Sequence, residues 1–151
     1  MFLFFFPFVS LFKAFFKSLA SAYDLFSSRK NKESLQKLNE IEKLFSKSVA
    51  SNDINKKLSS IENFKGFNFL ALQDFENATL CFEKALRLNP NSSQASAGLA
   101  EIFHLKEMDK EAKRMYEWAV KNNTENKFAV TGLAKVNREL HLNESHNSLM
   151  Q

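Results

Sequence analysis

Few side chains in this sequence are placed to do chemistry. The three histidines, His104, His141 and His146, show no metal-ligand spacing. Cys81 is the only cysteine, so neither an intrachain disulfide nor a thiolate metal cluster can form. Beside Phe82 in an apolar stretch, it reads as an inert small hydrophobe. Asp74, Glu76 and Glu83 recur at ordinary helix-surface spacing and read as a solvated acidic face. The sequons at Asn77, Asn91, Asn122 and Asn143 are what an Asn- and Ser-rich chain produces by chance. No catalytic residue, cofactor site or metal site is expected, and the chain reads as non-enzymatic.

The elements that would position any binding group are helices. Three glycines and two prolines in 151 residues are too few breakers for a many-stranded sandwich or barrel, where turns recur every ~8–12 residues. The formal charge of +4 is unevenly placed: residues 1–58 carry ten Lys and Arg against five Asp and Glu, whereas residues 59–151 carry eleven against twelve. A basic front on a near-neutral back lays no basic stripe across a folded face, so no nucleic-acid partner is expected. It does suit an anionic membrane surface, with a solvated Lys-rich linker over Arg29 to Lys57 as the plainer alternative.

The strongest organisation is a repeat. An offset of 34 residues sets Phe69 on Phe103, Ala78 on Ala112, Phe82 on Tyr116 and Ala85 on Ala119, and Gly98-Leu99-Ala100 on Gly132-Leu133-Ala134. Small residues let two antiparallel helices approach, aromatics fill the gap between successive pairs, and Pro90 ends a helix because it cannot continue the backbone ladder. This pattern resembles the tetratricopeptide repeat family. The resemblance implies an all-α fold, a short α-solenoid of two helix-turn-helix units (59–92 and 93–126) with a capping helix (127–140), preceded by amphipathic helices. A polar tail over 141–151 is expected to be disordered. Two departures stand out: Glu62 and Ser96 occupy the family's bulky position, and Lys65 its leucine position.

The same resemblance implies a concave face lined by the first helix of each pair. Matching positions are Asn63, Phe67 and Leu70, then Gln94, Glu101 and His104, then Phe128, Lys135 and Arg138. An unidentified protein partner is expected there. Some family members clamp a C-terminal carboxylate with Lys, Asn and Arg at set positions, which here read Asn63, Phe67, Gly98, Phe128 and Gly132. That argues against such a clamp.

The start of the chain has a different character. Nine of the seventeen phenylalanines lie in residues 1–26, while Ser10, Lys13, Lys17, Ser21, Asp24 and Ser28 form one polar stripe. An interfacial helix over residues 1–28 fits both, with Phe5, Phe8, Phe12, Phe15 and Phe16 contacting the membrane. Lys13 interrupts the apolar run too early for a span, and no charge precedes it as a secretory signal requires, although Leu19-Ala20-Ser21-Ala22 would serve as a cleavage site. The stretch FPFVSLFKAFFK followed by Ser21-Ala22-Tyr23 resembles the membrane-associated tail of some bacterial family 2 glycosyltransferases, with no catalytic motif.

From Glu33 to Val49, Leu35, Leu38, Ile41, Phe45 and Val49 make an amphipathic helix in a spacer region, 29–58, which does not match the repeat and is expected to cover its open end. The reading is an interaction scaffold held at a membrane, on its cytoplasmic side. The alternatives are the C-terminal module of a larger membrane-associated enzyme such as a glycosyltransferase, and an exported protein with a cleaved signal peptide.

Overall fold

A computed structural model describes residues 6–46 and 52–149, with side chains from 13 to 44 and from 53 to 146. Seven helices follow one another in the described residues: α1 (Phe6–Ser27), α2 (Asn31–Ser46), α3 (Asn52–Ala71), α4 (Phe75–Leu88), α5 (Ser93–Leu105), α6 (Asp109–Asn122) and α7 (Lys127–Leu149). Each packs on the next, and α5 also touches α3 and α7. The all-α repeat architecture is as expected. Its count is larger by one unit.

Among the described residues, three outside glycine have positive φ: Arg29 at 59°, Gln73 at 60° and Glu107 at 60°. Each is the left-handed residue that closes a first helix against its second. The hydrogen bonds repeat as well: Arg29 N–H donates to Phe26 O and Lys30 N–H to Leu25 O, as Gln73 does to Leu70, Asp74 to Phe69, Glu107 to His104 and Met108 to Phe103. So α1 and α2 are a third hairpin of the same kind, stacked in front of the other two. They are not a free interfacial helix followed by a spacer.

The second and third turns are 34 residues apart, but the first and second are 44 apart. In that longer register Ala22 takes the place of Gly66 and Ala100, Ser34 that of Ala78 and Ala112, and Leu38 that of Phe82 and Tyr116, all of them at the helix crossing. Ala22, Ser34 and Leu38 are fully buried, and the Ser34 hydroxyl donates to Ala22 O at 2.8 Å. Phe15, Ile41, Ile54 and Ile61 complete this leading core.

The other two cores centre on Phe82 and Tyr116. Phe82 lies between Gly66 and Gly98, and Tyr116 lies against Gly132, each ring occupying the space a Cβ would need. At the position of Gly98, α3 carries Phe64 instead, and the smaller Leu38 faces it from α2. Side-chain caps start α4 and α5, where Asp74 accepts from Asn77 N–H and Ser92 from Ala95 N–H. Helix α6 has no such cap; Asp109 and Glu111 in its first turn complement the helix dipole.

Two boundaries differ from the sequence reading. Helix α3 begins seven residues ahead of Ser59, and α7 continues to Leu149 where an irregular tail was expected from 141. No helix of the described residues is long and apolar enough to cross a membrane.

The departures at Glu62 and Lys65 have a common cause. Both are buried in an ion network: Lys65 and Lys84 each reach Glu42 on α2 and Glu62 on α3, with Lys84 Nζ 2.8 Å from Glu62 Oε1. Burial works against the Glu42 carboxylate, but the hydrogen bonds from Lys65 and Lys84 outweigh it and hold its pKa at about 2. The network ties the leading hairpin to the second one.

Candidate ligand groove

The first helices α1, α3, α5 and α7 share one face of the stack. Between them lies a cleft of about 780 Å³. Helix α1 supplies Phe16, Leu19, Ala20, Tyr23, Asp24 and Phe26, and α3 supplies Ser60, Asn63, Phe64 and Phe67; Gln94 comes from α5 and Phe128 from α7. The second helices contribute none of these residues. Their role is to hold the first helices at the spacing their small residues allow.

Six of the lining residues are aromatic and no lysine or arginine is among them. The rings form a chain of edge-to-face contacts. Phe67 meets Phe128 at 5.6 Å and 88°, and the core ring of Phe82 at 5.0 Å and 73°; Phe64 meets Phe26 at 5.5 Å. At the outer edge Phe16 and Tyr23 remain 62% and 61% exposed. A large exposed apolar surface of this kind is what a binding face leaves uncovered.

The polar part of the wall is Asn63. It is 3% exposed and donates through Nδ2 to Ser92 Oγ at 2.9 Å, with Gln94 Oε1 at 3.5 Å. Its Oδ1 has no hydrogen-bond partner among the described residues. A buried acceptor left unpaired costs on the order of 1–3 kcal/mol.

Of the nine residues expected to line the groove, Asn63, Phe67, Gln94 and Phe128 do so. The others are placed differently. Leu70 packs into the core around Phe82, and Glu101 accepts from the Tyr116 hydroxyl. His104 lies against Asp109 and Glu139, while Lys135 and Arg138 are exposed on α7.

Phe15, expected at a membrane, is 4% exposed inside the leading core, because α1 is a packed repeat helix. Phe16 is turned to the cleft instead. Phe5 lies outside the described residues, as do the side chains of Phe8 and Phe12. The whole α1 wall and Phe64 were missed, since nothing at an offset of 34 points to them.

Cys81 is half-buried, and burial together with the nearby Glu62 carboxylate pushes its thiol up to about 12. The clamp positions move one repeat earlier once the leading hairpin is counted, to Leu19, Tyr23, Phe64, Gln94 and Gly98. None is basic.

Solved structures share this arrangement. The second TPR domain of human RPAP3, in complex with the HSP70 peptide SGPTIEEVD, matches 80% of this chain and 92% of its own at 18% identity and a TM-score of 0.60. The first TPR domain of human RPAP3 matches 87% and 95% at 17% identity and 0.67. The Arabidopsis OM64 TPR domain matches 83% and 96% at 15% identity and 0.65. The fold is the tetratricopeptide-repeat fold. No protein-family model and no curated protein sequence matches the chain.

The length of these matches bears out three hairpins and a cap, because an alignment confined to residues 59–140 would cover little more than half of the chain. In this tetratricopeptide stack the concave face is therefore built from four helices, with α1 as one wall.

Proposed function

We propose that the chain is a non-catalytic protein-interaction scaffold whose concave groove takes an apolar, aromatic-anchored segment of a protein partner. The observation that carries this reading is the lining itself: six aromatic rings, one carboxylate at Asp24 and no cation. Such a wall rewards burial of Leu, Phe or Met side chains and repels an acidic tail. The unpaired Asn63 Oδ1 adds a place for a donor from the ligand. RPAP3 is solved with an acidic HSP70 peptide, so the two grooves differ in the ligand they suit.

Fluorescence polarisation on the full chain tests this with two labelled peptides. One is an amphipathic helix with Phe and Leu at i, i+4 and i+7; the other is an acidic tail ending in a free carboxylate. The first binds more tightly, and Phe67→Ala with Phe128→Ala weakens it about tenfold or more, the size of a hot-spot truncation. Equal or tighter binding of the acidic tail sinks the reading.

A second reading, attachment of the scaffold at an anionic membrane surface, is supported by the Phe-rich sequence from Phe2 to Phe12 and by Lys13 and Lys17, which are exposed on α1. Co-sedimentation with phosphatidylserine vesicles tests it. The full chain sediments and a variant with Phe5→Ser, Phe8→Ser and Phe12→Ser stays in solution; identical partitioning of the two removes membrane attachment.

A further inference from the structure

We propose that His104, Asp109 and Glu139 form a binding site for a divalent transition-metal ion, independent of the groove reading. The three come from three helices, the end of α5, the start of α6 and the middle of α7, and their ligand atoms all lie within 4.8 Å of one another. His104 Nδ1 is 2.8 Å from Asp109 Oδ1 and 3.6 Å from Glu139 Oε2. All three are only partly exposed, with the His104 side chain at 10%.

Charge makes the cluster incomplete. Two carboxylates face one imidazole, and among the ion pairs of the described residues His104 is the only partner of either. Two half-buried negative charges that close call for a cation between them.

The repeat supplies an independent argument. One repeat earlier the same three places hold Leu70, Phe75 and Leu105. There Leu70 and Phe75 pack against the apolar core around Phe82, while Leu105 is half exposed. In the last repeat all three have become metal-ligand types together. The helix dipoles suit Asp109 at the start of α6 and a histidine in the last turn of α5, but they do not account for Glu139 in the middle of α7.

One imidazole nitrogen and two carboxylate oxygens suit zinc and its first-row neighbours; magnesium and calcium prefer oxygen alone. Three protein ligands leave a coordination position for water, and the metal would join the cap helix α7 to the last hairpin.

Equilibrium dialysis of the full chain against ZnCl2, with circular-dichroism melting alongside, decides the matter. One ion per chain and a Tm that rises with Zn²⁺ but not with Mg²⁺ are expected. His104→Ala and the conservative Glu139→Gln each weaken uptake by more than the roughly tenfold typical of an outer-shell change. The variant His141→Ala with His146→Ala retains it, which separates this site from the exposed histidines of α7. Absence of saturable uptake overturns the proposal. Loss of uptake in the His141/His146 variant alone, or an equal response to Mg²⁺, overturns it as well.

Discussion

Gly98 of α5 lies so close to the ring of Phe82 on α4 that a Cβ at Gly98 would stand 2.3 Å from Phe82 Cζ. The ring cannot retreat, because Gly66 of α3 holds its other side with the same lack of room. Gly98→Ala therefore forces the α4–α5 stack apart and destabilises the chain by about 1–3 kcal/mol, the range of overpacking in a filled core. Urea unfolding followed by circular dichroism measures this. Adding Phe82→Leu to Gly98→Ala recovers part of the loss, whereas on its own Phe82→Leu is destabilising; strict additivity of the two would refute the contact.

Replacing one member of the buried ion network strands its neighbours. Lys65→Met leaves Glu62 short of one of its two lysines and is expected to cost about 3 kcal/mol, as breaking a buried pair does. Glu62→Leu with Lys65→Leu keeps the Glu42–Lys84 pair, restores apolar packing and costs less than Lys65→Met alone. Acid melting carries the same signature. The Glu42 pKa is depressed from 4.5 to about 2, so its contribution is complete above the upper value and is lost as pH falls through the lower one. The full chain loses stability across that window, and Glu42→Gln flattens the loss.

Why one hairpin stayed hidden while two were legible follows from the residues. Ala78, Phe82 and Ala85 recur as Ala112, Tyr116 and Ala119 at constant spacing, so chemistry and period agree. In the leading hairpin the corresponding places hold Ser34, Leu38 and Ile41, with no aromatic and ten extra residues before the next repeat. Its Phe-rich first helix reads as membrane-directed, since hydrophobicity alone does not distinguish a lipid from three packed helices. Half of the groove was lost with it. The partners of Glu62 and Lys65 on other elements were equally invisible, because Glu42 lies 23 residues before Lys65, on α2, and Lys84 lies 22 residues after Glu62, on α4.

The three left-handed turn residues offer a stabilising change. Arg29, Gln73 and Glu107 all carry a side chain in a conformation that costs roughly 1–2 kcal/mol outside glycine. Glycine removes that strain at the cost of some unfolded-state entropy, so Gln73→Gly and Glu107→Gly each gain a few tenths to about 1 kcal/mol. Thermal melts of the single and double variants report it. A fall in Tm for both would mean that their side chains contribute more than the backbone loses.

Tyr116 makes the last repeat sensitive to alkali. Its ring is buried between α5 and α7, and its hydroxyl donates to Glu101 on α5. Burial pushes the phenol above its ordinary 10.0, and the Glu101 carboxylate adds to the shift because a phenolate beside it would meet a like charge. A folded value above the unfolded one means that the stabilisation is whole below pH 10 and is lost as pH rises beyond it. Alkaline unfolding of the full chain should thus begin near that pH and release the tyrosine as phenolate, visible by its ultraviolet absorbance. Tyr116→Phe keeps the ring that fills the space at Gly132 and deletes the hydroxyl. It leaves Glu101, which is only half-buried, able to reach water. At neutral pH the cost is about 1 kcal/mol, one net hydrogen bond, and the alkaline transition moves to higher pH. An unchanged alkaline midpoint in Tyr116→Phe would place the titrating group elsewhere.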